Sequence, residues 1–412
     1  MSAPAPPAQP TRRGDRLFHD DLSPELQQVR THVRAFAETH VLPVAREIGS
    51  AAEDAQRFPF ALLTAMGSDG VLGLAFPDPI GGRGLAQPMT AAAVALEELA
   101  YVSSSVAAVY DVQCLLAGRT LLHAAPALQE RYLRPLLAGE VVGAFATSEP
   151  GASSDLSPQA LQTVGEARSK GEIILDGRKR FISNAPVADF VVVLCRTGDG
   201  PSLLLVDTIA DGVQIGPPDH KLGNRGQLTA DVAFDRVHVP TEHLIGAPGA
   251  GLRLALGSLA GGRIGIAACG VGLAQAAFDL AADHLTTRWA FGKPLASNQH
   301  WQFRLADRAA GLEAARALYR KAARRMDAGE PFPEPEAAMA KFTATELAVD
   351  TARDAVQALG GYGFVSELGA DGRSYRTEEL YRDAKIGEIY EGANEIQRWI
   401  VARNIFGKEV TG

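Results

Sequence analysis

Four stretches of this 412-residue chain carry side chains able to do chemistry. The first is Phe145-Ala-Thr-Ser-Glu-Pro-Gly-Ala-Ser-Ser-Asp155, dense in small hydroxyl side chains on backbone that Pro150 and Gly151 make irregular. Such a surface suits a polar heterocycle or a phosphate. Its ordinary alternative is a plain turn, because Glu-Pro-Gly is also turn chemistry. The second, Phe181-Ile-Ser-Asn184, sets an aromatic ring and a hydroxyl two residues apart, on one face of a strand. An aromatic there otherwise belongs to a core. The third, Arg288-Trp-Ala-Phe-Gly-Lys293 with Gln299, closes a glycine-rich helix, and taken alone its arginine is a solvated helix end. The fourth runs from Tyr381 to Arg398, where Glu391-Gly392 breaks two helical stretches. A carboxylate at such a break can face a cavity as a base; alone, it reads equally as a cap or a surface acid.

The elements that must position these residues fall into three zones. Across 16–141 the period is helical, with Leu26, Val29, Val33 and Phe36 at three- and four-residue steps behind a Ser23-Pro24 start signal. A loop at Phe76–Gly82 interrupts the helices. Across 142–246 the pattern changes to short strands. Ile173-Ile174-Leu175 enters an Asp176-Gly177 pair read as a hairpin turn, and Val191–Leu194 and Leu203–Val206 read as buried strands. Val232, Phe234, Val237 and Val239 share one face if a bulge falls near Asp235. Across 247–412 long alanine-rich helices return. The one around Leu252–Arg288 holds Gly257, Gly261, Gly262, Gly265, Gly270 and Gly272, each costing about 1 kcal/mol against alanine. Something must approach that backbone closely.

Composition sets the outer limits. Hydrophobic residues make up 46% and charged residues 21%, and the length predicts two or three domains. A formal charge of −8 without a long basic run argues against nucleic acid. Cys114, Cys195 and Cys269 have no disulfide or metal spacing and read as reduced core thiols, which favours a cytoplasmic location. No metal site and no membrane span of about 18 apolar residues is expected. Residues 1–15, with Pro4, Pro6, Pro7 and Pro10, read as a disordered tail.

Taken together, Ser148-Glu-Pro-Gly-Ala, Gln357-Ala-Leu-Gly-Gly361, Tyr381-Arg-Asp-Ala-Lys385 and Tyr390-Glu-Gly392 with Ile396-Gln-Arg398 resemble the acyl-CoA dehydrogenase family over essentially the whole chain after the tail. The resemblance implies a mainly α fold: an N-terminal α domain, a small barrel-like β domain and a C-terminal four-helix bundle. It implies FAD as cofactor. Phe145, Thr147, Ser148, Ser154, Phe181, Ser183, Ala393 and Glu395 match positions about the flavin. Arg288, Phe291, Gln299, Gln357, Gly360 and Gly361 match positions reaching the adenosine diphosphate half of FAD in a neighbouring subunit, so a homo-oligomer, usually a tetramer, is implied. Glu391 matches the base that removes the α-proton of an acyl-CoA thioester while the flavin accepts hydride from the β-carbon. Its backbone N–H and a ribityl hydroxyl are the implied donors to the thioester oxygen. Ser154, Arg263, Tyr390 and Gly392 match substrate-side positions, and an electron-transferring flavoprotein is the implied electron acceptor.

Some positions depart from the family pattern. Phe181 stands where tryptophan is common, Ser153 where glycine is, Ala393 where threonine is, and Ala260 where an aspartate contacts the coenzyme A arm. Gly262 occupies the alternative site of the base in some relatives, so Glu391 has no rival. Ala107 lacks the arginine that reads a distal carboxylate in glutaryl-specific relatives. Residues 367–374 include an insertion. Tyr110 and Asp111 lie on the helix expected to line the acyl pocket; the alternative for Asp111 is a solvated or capping acid. Ala260 keeps open a dehydrogenase of carrier-protein thioesters. The same fold also admits a flavin monooxygenase or a non-redox flavin-bound protein.

Overall fold

The computed structural model describes residues 11–17, 22–152, 154–168 and 171–411. Pro4, Pro6, Pro7, Pro10 and Ser153 lie outside the described residues.

Helix α1 (Pro24–Phe36) starts where the sequence predicts. The Ser23 hydroxyl accepts from the Leu26 N–H at 3.4 Å, Pro24 takes the first turn, and Leu26, Val29, Val33 and Phe36 are all buried. Behind it lie α2 (Pro88–Val102), almost wholly buried, and α3 (Ser104–Tyr110), which passes without a break into wide π-helical turns over Asp111–Gly118. The end of the expected tail belongs to this block. Arg12 donates to Glu98 at 2.7 Å and lies 3.9 Å over the Tyr101 ring, and the Arg13 N–H donates to Asp279 at 3.1 Å. Those charge contacts, invisible in a proline-rich composition, fix residues 11–13 to the helices.

The middle zone is an eight-stranded sheet: β1 (Gly143–Ala146), β2 (Val164–Arg168), β3 (Glu172–Ser183), β4 (Phe190–Thr197), β5 (Gly200–Asp207), β6 (Val213–Ile215), β7 (Thr229–Pro240) and β8 (Leu244–Ile245). Its order is β6-β7-β3-β2-β4-β5-β8, with β1 parallel to β4. The unbroken apolar runs of β4 and β5 have a physical cause: both faces are covered. Val191, Val193, Leu204 and Val206 enter the sheet's own core, whereas Val192, Leu194, Leu203 and Leu205 pack on the helices. The expected bulge is present. Leu175 pairs with Val237 but Gly177 with Phe234, so β7 carries one extra residue at Asp235–Arg236 and keeps its four apolar side chains buried. The hairpin turn expected at Asp176-Gly177 is not there. β3 runs straight through this pair because it is paired on both sides, and the chain reverses between Arg168 and Glu172, with Gly171 at φ +74°.

The C-terminal block contains α4 (Gly251–Thr287), α5 (Gln299–Asp327), α6 (Glu336–Leu359), α7 (Thr377–Ala384) and α8 (Asn394–Phe406). α4 packs against α2, α5 and α6, and α8 lies on α6. By length and composition α4 could cross a membrane, yet its apolar window is entirely buried inside the protein, as a central core helix must be. Its glycines admit neighbours where the sequence suggests. A Cβ at Gly272 would meet the Glu97 carbonyl oxygen at 2.2 Å, while at Gly257 and Gly261 the nearest described atoms would lie 4.0 and 3.9 Å away, ordinary contact.

Candidate active site

Glu391 sits where helical backbone fails twice. After α7 the chain makes a tight turn at Lys385–Glu388, then Glu391 and Gly392 adopt φ +54° and +87° before α8 begins at Asn394. A non-glycine residue in the left-handed region is strained, and neighbours must hold it. Here Lys341 Nζ donates to the Gly392 carbonyl oxygen and to Asn394 Oδ1, both at 2.9 Å, and Gln397 Nε2 donates to Gly392 O at 2.9 Å. Arg263 Nε donates to the Glu391 carbonyl oxygen at 3.4 Å, while its Nη1 pairs with Glu334 at 2.9 Å.

This turn aims the carboxyl at α4. Glu391 Oε2 is buried with no hydrogen-bond partner among the described residues, and a Cβ on Gly262 would lie 2.8 Å from it. The glycine is therefore room for the acid. Burial pushes the carboxyl up to about 7, against the opposing charges of Arg263 and Lys341. The competition between apolar walls and stabilising charge is thus won by burial. One α4 turn further on, Asp111 backs onto Gly265, where a Cβ would meet its Oδ1 at 2.2 Å. Asp111 is 1% exposed and lines the same cavity, so it is not a solvated acid.

The facing wall comes from β1 and β3. The loop after β1 is held by an ion pair between Lys179 and Glu149 at 2.9 Å, both side chains buried. Lys179 Nζ also donates to the Thr147 carbonyl oxygen at 3.1 Å, and Glu149 accepts from the backbone N–H groups of Gln162 and Thr163. Burial raises the Glu149 carboxyl, but these donors outweigh it and hold it below its ordinary value. Glu149 is therefore the anchor of the loop rather than turn filler. Phe181, expected on a strand face, has φ +58° and is 62% exposed, standing into the cleft instead of a core.

Between these walls lies a cleft of about 1730 Å³. Phe145, Thr147, Ser148, Ser154, Phe181, Ser183, Arg263, Tyr390, Glu391, Gly392 and Glu395 all line it. Ala393 caps α8 just outside. Hydroxyls and an aromatic face stand on the β side, and Ile386, Ile389, Ile396 and Ile400 on the helical side. A planar ring with polar edges fits that donor set. The second predicted group lies apart, on the outer surface. Gln299 opens α5, Gln357 closes α6, and Gly360 and Gly361 follow it, all exposed or half-buried; Arg288 lies 5.8 Å over the neighbouring Tyr362 ring, and Phe291 is fully exposed at φ +52°. The 367–374 segment reaches back to Arg46, which donates to the Gly372 carbonyl oxygen at 3.0 Å and pairs with Glu367.

Three family profiles match in chain order. Acyl-CoA dehydrogenase, N-terminal domain, covers residues 23–140; the middle domain covers 144–237; the C-terminal domain covers 249–406. The chain belongs to the acyl-CoA dehydrogenase family. It is 38% identical over 402 residues to the short-chain specific acyl-CoA dehydrogenase, mitochondrial, of Bos taurus, covering 96% of this chain and 93% of that one. The solved butyryl-CoA dehydrogenase from Megasphaera elsdenii is 32% identical with a TM-score of 0.85, over 94% of this chain and 100% of the other. A chain solved in a study of the electron transferring flavoprotein of Acidaminococcus fermentans is 32% identical with a TM-score of 0.86, over the same shares. This acyl-CoA dehydrogenase is accordingly an oxidoreductase acting on the CH–CH group.

Three of the groups that fix this site, Lys341, Glu334 and Glu149, were not among the candidate site residues. Lys341 stands among Ala337, Ala338, Ala340, Ala344 and Ala348, all buried on one face of α6. A lysine on an alanine stripe is a readable signal of a buried cation. Glu334, before α6, has no comparable signal, whereas Glu149 lies inside the Ser148-Glu-Pro-Gly-Ala motif but reads locally as turn chemistry.

Proposed function

We propose that this enzyme oxidises a short-chain acyl-CoA thioester to its α,β-unsaturated product, with the Glu391 carboxylate removing the α-proton. The observation that carries this reading is the buried, unpartnered Glu391 oxygen facing a cleft with hydroxyl donors on its far side. A carboxyl pushed up to about 7 is a stronger base than an ordinary glutamate and is still ionised in substantial part at neutral pH. Arg263 and Lys341 keep it from being protonated outright. The Glu391 N–H serves as donor to the thioester oxygen as enolate charge develops.

FAD fits the residues present. Phe145, Thr147, Ser148, Ser154, Phe181, Ser183, Ala393 and Glu395 hold the ring half in this reading, and when bound it supplies the acceptor for the β-hydride. Arg288, Phe291, Gln299, Gln357, Gly360 and Gly361 take the adenosine diphosphate half from a second copy of the chain. A fully exposed Phe291, with Trp289, Phe303 and Phe364 also exposed in the C-terminal block, supports a homo-oligomer, a tetramer in the family pattern. An electron-transferring flavoprotein is the proposed acceptor, in line with the Acidaminococcus likeness. Short chains are favoured because the relatives named above are short-chain and butyryl enzymes, and because Asp111, Val112 and Leu116 wall the buried part of the cleft. The three buried thiols support a reducing compartment, the cytoplasm.

The test is anaerobic bleaching of the flavin by butyryl-CoA, with Glu391→Gln retaining flavin and losing the bleach. A Gln variant that reduces normally would overturn the assignment of the base. Bleaching only by acyl carrier protein thioesters would transfer the reading to a biosynthetic dehydrogenase.

A further inference from the structure

Glu391 is not the only acid in the acyl cavity. Asp111 opens the wide-turn stretch Asp111–Gly118, 1% exposed, and its Oδ1 has no hydrogen-bond partner among the described residues. π-helical turns of this kind concentrate where a helix must re-aim a side chain at a site. Room for this one is built into α4. A Cβ at Gly265 would lie 2.2 Å from Asp111 Oδ1 and within 2.9 Å of Leu96 and Leu115, so the helix gives up a side chain where the acid backs onto it. Gly262, three residues earlier on α4, makes the same allowance for Glu391. Two carboxyls thus stand one helical turn apart, on one face of one helix, lining one cavity.

Their surroundings differ. Arg263 and Lys341 act on Glu391, whereas the influences on Asp111 are burial and the negative charge of Glu391, both of which favour its protonated form. Two acids in such unlike surroundings take different roles. A carboxyl biased toward its protonated form offers an O–H donor with acceptor capacity left over. Leaving it unmatched in a pocket for plain alkyl chains costs the full desolvation of a polar group, and a leucine would fill the place without that cost.

Resting on the dehydrogenase reading above, we propose that Asp111 is a specificity residue: its carboxyl hydrogen-bonds a neutral oxygen on the acyl chain, and the preferred substrate is a short acyl thioester carrying a hydroxyl or ether oxygen beyond the β-carbon. The α- and β-carbons are committed to Glu391 and the flavin, so the oxygen belongs further along the chain. A cationic chain suits the site less. It requires Asp111 ionised and sets a positive charge beside the base, weakening it.

The experiment compares butyryl-CoA, 4-hydroxybutyryl-CoA and 4-aminobutyryl-CoA with the FAD-loaded wild type, Asp111→Asn and Asp111→Leu. Anaerobic flavin bleaching at sub-saturating thioester gives the rate, and calorimetry with non-oxidisable thioether analogues of the same chains gives the affinity. The wild type is expected to favour the hydroxyl-bearing chain over the alkyl chain by about tenfold or more in both readouts. Asp111→Leu abolishes that ratio and Asp111→Asn retains part of it. A wild type that ranks the alkyl or the ammonium chain first, or a ratio unchanged in Asp111→Leu, overturns the role of Asp111. Loss of bleaching with every thioester, while the analogues still rank as expected, overturns the dehydrogenation reading and leaves Asp111 standing.

Discussion

Replacing Lys341 with methionine removes a buried cation that lies outside the cleft lining yet acts on the proposed base, Glu391. Its Nζ is buried, donates to the Gly392 carbonyl oxygen and Asn394 Oδ1, and its charge is one of two that lower the Glu391 carboxyl. Burial pushes Lys341 itself down to about 7, with Glu391 as the chief charge holding its proton on. Each of the two groups therefore biases the titration of the other in the wild type, whereas in the variant Glu391 keeps only Arg263 as an opposing charge and Asp111 as its acidic neighbour. An opposite charge at such range lowers a carboxyl by roughly 1 to 3 units, and with Arg263 still in place we take about one unit as the Lys341 share. Glu391 then moves from about 7 to roughly 8, and its ionised fraction at pH 7 falls from about a half to about a tenth. The rate of anaerobic flavin reduction should drop about fivefold at pH 7, nearly tenfold at pH 6 and hardly at all at pH 9.5. The sign follows from the role: a base works when deprotonated, so a raised pKa moves the acid limb of the rate profile to higher pH. The turn itself survives, because Gln397 still donates to Gly392 O at 2.9 Å. Flavin content and thermal midpoint are measured alongside. An acid limb that does not move in a folded, flavin-loaded Lys341→Met protein would refute this account of how the base is tuned.

Gly265→Ala forces a Cβ to within 2.2 Å of Asp111 Oδ1 and should cost about 1 to 3 kcal/mol in denaturant unfolding; adding Asp111→Ala should recover part of that loss. Lys179→Met strands the buried Glu149 carboxylate, with an expected penalty of roughly 3 to 5 kcal/mol by chemical denaturation and faster loss of flavin on dialysis. A Lys179→Met protein with unchanged stability would show that the pair does not anchor the loop after β1. Phe291→Asp, at a fully exposed position, should leave the monomer fold intact by circular dichroism and shift sedimentation velocity toward smaller species.

The order of zones was legible because their periodicities differ, and β4 and β5 were legible because strands covered on both faces need unbroken apolar runs. The bulge in β7 could be inferred from four apolar residues that share a face only if one residue is skipped. Asp176-Gly177 misled for the opposite reason. Its local turn preference is real, but pairing of β3 along twelve residues overrides it, and no short window of sequence contains that partner strand. At the site, the break at Glu391-Gly392 was visible, and the glycines of α4 announced a close approach. What approached was not legible, since the Glu391 and Asp111 carboxyls come from segments more than 100 residues away on either side of Gly262 and Gly265.

Backbone strain joins these observations. Seven described non-glycine residues have positive φ, and three of them, Phe181, Phe291 and Glu391, are candidate site residues. Each such residue costs about 1 to 3 kcal/mol and persists only where surrounding contacts fix it. For Glu391 those contacts are Lys341, Gln397 and Arg263, all of which grip backbone oxygens and leave the carboxyl oxygen Oε2 unpartnered. An acid serving structure would spend its own oxygens on such bonds, as Glu149 does with Lys179, Gln162 and Thr163. The contrast between a carboxyl used to hold the chain and a carboxyl the chain is held to present separates the anchor from the proposed base within one cleft.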